Sequence, residues 1–267
     1  MTTFQAIVLG LIQGLTEFLP ISSSAHLSLA PFLFGWKDPG LAFDVALHFG
    51  TLIAVLWYFR KQWAELTVAA IDIVRTRRID TVDKKRVVFL IIATIPGAIG
   101  GLLLEKKAET VFRAPALTAI ALIIMGVILW AVDRASSQVR KLDEMRWWDS
   151  LLIGLAQVIA LVPGVSRSGS TITAARGLKL DRQSAAIFSF LMSMPIIAAA
   201  VVLKGPDVLK QGGIDTPVIA GVLAAAISSW LAIAILLRYV SRHSYGIFAL
   251  YRVVLGAAVL VILQMRG

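Results

Sequence analysis

The sequence predicts an all-α integral membrane protein, with six transmembrane helices plus two re-entrant helical hairpins arranged as an inverted-topology repeat. Three observations lead there. The 267 residues are 58% hydrophobic and only 16% charged, with a mean hydropathy of +0.82, which is too apolar for a soluble domain of this length. Six apolar runs of about 17 to 21 residues recur along the chain, each matching the roughly 20 residues a helix needs to cross a hydrocarbon core about 30 Å thick. Two further apolar stretches are broken midway by proline and serine clusters. Continuous runs of this length point to helices; a membrane barrel would show short alternating strands.

Taken in order, residues 4–34 form the first broken stretch, and no lysine or arginine occurs in the first 36 residues. The start lacks a basic region and a small-residue cleavage site, so we expect no cleavable signal peptide and a first segment that stays in the mature protein. The break falls at Pro20-Ile21-Ser22-Ser23-Ser24. Proline blocks helix continuation, and each serine offers the backbone a competing hydrogen bond, so this stretch should be two short helices joined by a polar turn. Crossings are expected at 41–59, 87–104 and 114–132. A second broken stretch, 151–175, is interrupted by Pro163-Gly164-Val165-Ser166-Arg167-Ser168. Crossings at 184–203, 217–237 and 247–263 complete the chain. Irregular backbone at membrane depth is tolerated only inside protein or around a wet cavity, so both breaks should be buried against something.

Orientation follows from the basic residues. The segment 60–86 carries eight Lys and Arg and reads as a solvated cytoplasmic loop able to touch anionic lipid. If each broken stretch returns to the side it entered from, segments 60–86, 133–149, 176–183 and 238–246 lie inside with seventeen Lys and Arg, against seven in the outer segments around 37, 105–113, 204–216 and the C-terminal tail. Both termini are then outside. The net charge of +10 is thereby explained by cytoplasmic loops and gives no reason to expect a nucleic-acid partner. Three crossings per half is an odd number, so within one membrane domain, 1–267, halves of approximately 1–140 and 141–267 enter upside down relative to each other. A trace of the repeat survives at an offset of 144 residues, where Gly10-Leu11 and Gln13 match Gly154-Leu155 and Gln157, and Ile21 to Ser24 match Val165 to Ser168. Inverted repeats with broken helices build their site where the broken segments meet. The absence of cysteine excludes disulfides, thiolate chemistry and cysteine-held metal.

The two breaks therefore supply one candidate site. Together they offer Glu17, Ser22, Ser23, Ser24 and His26 with Ser166, Arg167, Ser168, Ser170 and Thr171. That set suits a phosphate: Arg167 presents a planar fork of donors, Gly164 and Gly169 let backbone N–H groups approach an anion at a helix start, and serine hydroxyls fill the remaining acceptor positions. Glu17 is the only carboxylate in the first 37 residues; an intramembrane acid is expensive, so it is read as a metal ligand, a general base, or the partner of His26 or Arg167. Gln13, one helical turn earlier, faces the same side and can ligate a metal, orient water, or simply pack. His26 can act as nucleophile toward phosphorus or as the acid for the leaving group. Ser23 is the preferred hydroxyl for substrate contact, while Ser22 and Ser24 can equally cap a helix. Asp44 and His48 stand four residues apart on the first crossing, and we expect a supporting role beside the site. Arg252 lies about a turn and a half inside the last crossing and is expected to snorkel to the cytoplasmic surface.

With these residues in view, the motifs "QGLTEFLPISSSAH" and "PGVSRSGSTI" resemble the two signatures of the undecaprenyl-diphosphate phosphatase family (UppP/BacA, the bacitracin-resistance proteins), and the resemblance extends over nearly the whole chain. It implies removal of the terminal phosphate of a polyprenyl diphosphate lipid to recycle the carrier for cell-wall synthesis, in the bacterial cell (inner) membrane, with a site open to the extracytoplasmic side. It also implies dependence on a divalent cation, Mg2+ or Ca2+, with Glu17 and Gln13 at the positions of the family's first motif. The family's Ser, His and Arg fall on Ser23, His26 and Arg167. A homodimer is allowed for. The rival reading is a carrier of undecaprenyl phosphate or another anionic lipid, because inverted repeats with broken helices are also transporter architecture.

Overall fold

The computed structural model describes residues 1–109, 114–210 and 213–266, and of 104–109, 207, 209 and 266 only the backbone. Of the expected outer connections, 110–113 and 211–212 lie outside the described residues. Eleven α-helices and no strand occur among the described residues: α1 Thr3–Glu17, α2 Ser23–Phe34, α3 Leu41–Tyr58, α4 Arg60–Thr76, α5 Val82–Glu109, α6 Pro115–Ala135, α7 Trp147–Ile159, α8 Arg167–Gly177, α9 Arg182–Lys210, α10 Thr216–Val240 and α11 Gly246–Arg266. Six of them, α3, α5, α6, α9, α10 and α11, are long and apolar enough to cross a membrane. Their outer faces support that reading. Ile91, Ile95 and Ile99 on α5, and Ile219, Leu223 and Ile227 on α10, form exposed stripes at four-residue spacing, which would be an aggregation liability in water but match a lipid surface.

The two broken stretches are each a pair of short helices, α1 with α2 and α7 with α8, as expected from their proline-serine interruptions. α1 begins at Thr2, whose hydroxyl accepts from Gln5 N while the Gln5 side chain accepts from Thr2 N, a reciprocal capping pair. It then packs against α10 at a distance only glycine allows, since a Cβ on Gly10 would stand 2.2 Å from Gly221 O. On α7, Gly154 meets α5 in the same way, with Ala93 O at 2.5 Å from the position of a Cβ. Helices in lipid associate through such small-residue contacts because apolar burial alone gives them little reason to choose one another. Gly10→Val should therefore lower the midpoint of thermal unfolding measurably, an overpacking penalty of about 1 to 3 kcal/mol. Gly101→Ala, with nothing within 4 Å of the new methyl, should leave the midpoint unchanged in the same size-exclusion thermal scan.

The segment 60–86 is not a loop. Residues Arg60–Thr76 form α4, which buries Leu66 and Ala69 and exposes Val68, Ile71 and Val74. Its basic residues cluster at the two ends of the segment, and the apolar positions between them, Leu66 and Ala69 inward, carry the helical period. Lys84, at the start of α5, ties the connection down through Asp72 Oδ2 at 2.6 Å and Asp80 Oδ1 at 2.8 Å.

Candidate functional site

Helix α2 and helix α8 start in the same way. Each is preceded by a serine with positive φ, 75° at Ser22 and 72° at Ser166, a sparsely populated backbone region for a residue with a Cβ. Each of these serines turns its hydroxyl back onto the helix it precedes, Ser22 Oγ accepting from Ala25 N and Ser166 Oγ from Gly169 N. The two turns are also bonded to each other. Gly164 N donates to Ser22 Oγ at 3.2 Å, and Ser168 Oγ donates to Leu19 O at 2.9 Å. The first residues of the two helices, Ser23 and Arg167, consequently face one cavity with two helix N-termini at its edge, an arrangement that attracts anions.

Glu17, at the last turn of α1, is the hub of that cavity and is 6% exposed. Its Oε1 accepts from Arg167 Nη2 at 2.9 Å. Its Oε2 accepts from Ser23 Oγ at 2.5 Å and from Gln13 Nε2 at 3.0 Å, and His48 Nε2 lies 3.5 Å away. The Nδ1 of His48 is engaged with Asp44 O at 2.7 Å, so Nε2 is the nitrogen that addresses the carboxylate. Arg167 Nη1 reaches Ser189 O at 3.3 Å, which leaves its other N–H groups for a ligand. The cavity, about 200 Å³, is lined by Glu17, Ser22, Ser23, Ser24, His48, Ser166 and Arg167, with Ala160, Ile196, Ile197 and Ala200 as its apolar wall. A short way along α3 and α9, Val45, Phe49 and Val201 belong to a second, almost wholly apolar groove of about 560 Å³ that extends to α10.

The structure thus brings Glu17, Ser22, Ser23, Ser24, Ser166 and Arg167 together, and sets other sequence candidates apart. His26 is not among the lining residues. Its Nδ1 lies 2.7 Å from Ser22 O and its Nε2 2.7 Å from Tyr251 Oη, so the ring braces the first turn against α11 and does not face Glu17. Ser168, Ser170 and Thr171 are absent from the lining as well. The hydroxyls of Ser170 and Thr171 donate to Arg167 O at 3.1 and 2.8 Å, the local bonding that short hydroxyl side chains adopt in a first helical turn. His48 is the site residue the sequence undervalued; its only signal was its spacing from Asp44, and its position against Glu17 arises from the packing of α3 on α1. Arg252 corrects the expectation of snorkelling. It is fully buried, its Nε donating to Leu122 O, Nη1 to Pro20 O, and Nη2 to Gly164 O and Val165 O.

A divalent cation can be tested against this geometry. No group of three or more His, Cys, Asp or Glu side chains suited to a metal occurs among the described residues. Gln13 Oε1, however, is buried without a partner one turn from Glu17, an orphaned oxygen in a chemistry that hard cations share. As placed, Gln13 turns Nε2 and not Oε1 to Glu17, so this carboxylate and amide oxygen would fit a cation with the amide turned over, the remaining ligands coming from a bound phosphate and water as Mg2+ commonly takes them.

Comparison with known proteins gives a consistent result. The family model described as "Bacitracin resistance protein BacA" matches residues 6–258. The undecaprenyl-diphosphatase of Gemmatimonas aurantiaca is 62% identical over 266 residues, covering 100% of both chains. Those of Pelotomaculum thermopropionicum and Moorella thermoacetica are 50% and 49% identical, each covering 100% of this chain and 98% and 100% of their own.

Proposed function

This chain belongs to the BacA family of bacitracin resistance proteins, and from that premise we infer that it is a membrane phosphatase. It hydrolyses undecaprenyl diphosphate to undecaprenyl phosphate and inorganic phosphate and so recycles the lipid carrier for cell-wall synthesis. The observation that carries the chemistry is the Glu17 hub, with a hydroxyl on one carboxylate oxygen and a guanidinium on the other.

The diphosphate enters the polar cavity between the starts of α2 and α8, and the polyprenyl chain leaves along the apolar groove of α3, α9 and α10. Arg167, held by Glu17 and Ser189 O, turns its free N–H groups to the terminal phosphoryl oxygens, where negative charge must be stabilised during transfer. Ser23 Oγ is the group best placed to attack phosphorus. Its proton passes to Glu17 Oε2 as the new O–P bond forms, and the bond from phosphorus to the bridging oxygen breaks, releasing undecaprenyl phosphate. Water then attacks the phosphoserine, its oxygen and protons leaving with the inorganic phosphate, and Glu17 returns its proton to Ser23 Oγ as the serine O–P bond breaks. His48 supports Glu17 through Oε2, the oxygen that Ser23 also bonds, and His26 holds the Ser22 carbonyl and hence the turn that aims Ser23. Glu17 and Gln13 are the residues that would hold a divalent cation, Mg2+ or Ca2+, whose contribution when bound is to neutralise diphosphate charge.

The two helix pairs are read as re-entrant hairpins of an inverted repeat. Support comes from the equivalent backbone at Ser22 and Ser166, 144 residues apart, and from the glycine contacts that α1 and α7 make in turn with α10 and α5. The excess of basic residues in the segments assigned to the cytoplasm sets the start of α3 and the end of α9 outside, and His48 and Ala200 of the cavity lie in the halves of α3 and α9 nearer those ends, which supports a site that opens on the extracytoplasmic side.

Phosphate release from purified protein and undecaprenyl diphosphate in detergent micelles tests the reading. Release should fall by at least about tenfold in chelator and return on adding Mg2+ or Ca2+, as expected for a cation that neutralises the transferring group. It should be lost in Glu17→Ala. Wild-type protein that binds the lipid but releases no phosphate would instead be a carrier.

A further inference from the structure

We propose that Arg252 is a positioning residue for this reaction, a buried clamp that holds the two broken turns at the separation at which Ser23 and Arg167 can act on one phosphoryl group. The proposal rests on the phosphatase reading for its readout. Arg252 lies in α11, outside the cavity lining, and is 0% exposed. Its guanidinium donates to four backbone carbonyls on three parts of the fold: Leu122 O of α6 at 3.3 Å, Pro20 O at 3.0 Å, and Gly164 O and Val165 O at 2.7 and 2.9 Å. No carboxylate lies within ion-pair distance of it among the described residues, so this charge is compensated by peptide dipoles alone. A buried charge without an acid is costly to keep.

What it supplies is specific to these turns. Where a chain leaves helical geometry, its carbonyls lose their helical partners, and inside an apolar layer no bulk water replaces them. Pro20 lies midway between Glu17 and Ser23, and Gly164 and Val165 immediately precede the cap of α8. One planar fork therefore satisfies carbonyls on both turns at once and fixes the distance between them, which a single-point donor such as an ammonium would do poorly. The surroundings are shaped to admit it. A Cβ on Gly169, in the first turn of α8, would stand 2.6 Å from Arg252 Nη1, and one on Gly126 of α6 would stand 3.1 Å from Arg252 Cβ. The neighbouring Tyr251 meets His26 from the same helix, so α11 grips the first turn by two consecutive side chains.

Steady-state phosphate release from undecaprenyl diphosphate in micelles, measured for wild type, Arg252→Lys and Arg252→Ala, tests this. Misplacement of reacting groups by about 1 Å can cost about a hundredfold in rate. Arg252→Lys should therefore lose about a hundredfold in kcat with KM changed less than about threefold, while remaining monodisperse and helical. Arg252→Ala opens a guanidinium-sized space, so added guanidinium ion should recover kcat about tenfold or more in this variant, while methylammonium should not. A folded Arg252→Lys with kcat within about threefold of wild type overturns the proposal. So does a failure of both variants to fold, which would assign Arg252 to the fold alone. A silent wild type overturns the phosphatase reading instead.

Discussion

Replacing Ser23 with alanine should reduce kcat by at least about a thousandfold while leaving the protein folded, since loss of the attacking group removes the reaction path and only binding and electrostatic assistance remain. The fold should tolerate the change. Ser23 is the first residue of α2, but the capping hydroxyl belongs to Ser22, and alanine has the highest helix propensity. The residue is partly exposed, and its hydroxyl donates to Glu17 Oε2 at 2.5 Å. That contact separates the serine route from a histidine route. Stopping the reaction in acid should retain a phosphoenzyme in wild type, because a phosphoserine survives acid and a phosphohistidine does not, and Ser23→Ala should retain none. An acid-labile adduct on His26 would instead require the ring to leave Ser22 O and Tyr251 Oη, both at 2.7 Å. Arg167→Lys belongs to the same experiment. It keeps a positive charge and loses the fork that spans Glu17 and Ser189 O, so kcat should fall about 10² to 10³-fold, the range seen when one transition-state donor is removed.

The parts of this architecture legible in the sequence were those written in one-dimensional patterns. Proline followed by serines inside an apolar run is a local statement about backbone: the chain leaves helical geometry around Pro20 and Pro163, and Ser22 and Ser166 then cap the helices that follow. Crossings likewise announce themselves by length, although α5 and α9 run well past the apolar window, to Glu109 and Lys210; polar residues propagate a helix beyond the hydrocarbon as readily as apolar ones. Less legible was anything that depended on which way a side chain points. Ser168, Ser170 and Thr171 are all hydroxyls beside Arg167 in sequence, yet the first turn of α8 sends the last two back onto Arg167 O. His48 is 31 residues from Glu17 in the chain and meets it only because α3 packs on α1. Arg252 misled for a different reason. Depth in an apolar segment normally predicts snorkelling, and only a cluster of unpaired carbonyls contributed by two other segments makes staying inside the better outcome.

The largest effect on stability should come from the opposite end of α8. Asp133, near the end of α6, accepts from Arg176 Nε at 2.8 Å and Arg182 Nε at 2.9 Å through Oδ1, and from Tyr245 N at 3.1 Å through Oδ2. Arg176 has no exposed side-chain surface and spends its other N–H groups on Asp133 O, Ser136 O, Ser137 O and Leu180 O. One carboxylate therefore joins α6, α8, the start of α9 and the connection into α11, and it offsets two guanidiniums. Asp133→Ala leaves the Arg176 charge buried with carbonyls only and takes the acid from the partly buried Arg182, and removing one partner of a buried pair costs about 3 to 5 kcal/mol. Asp133→Asn keeps an acceptor oxygen and should cost less. Unfolding midpoints in mixed micelles should rank wild type, Asn, Ala; equal midpoints would show that the carbonyls suffice to hold Arg176. The consequence for the site is indirect but traceable. Arg176 lies nine residues along the same helix from Arg167, about 14 Å at the rise of an α-helix, so loosening one end of that short rod moves the other. At temperatures where Asp133→Asn remains folded, its kcat should fall less than its stability loss alone would suggest, because the clamp of Arg252 and the bond from Arg167 to Glu17 still hold the end that does the chemistry.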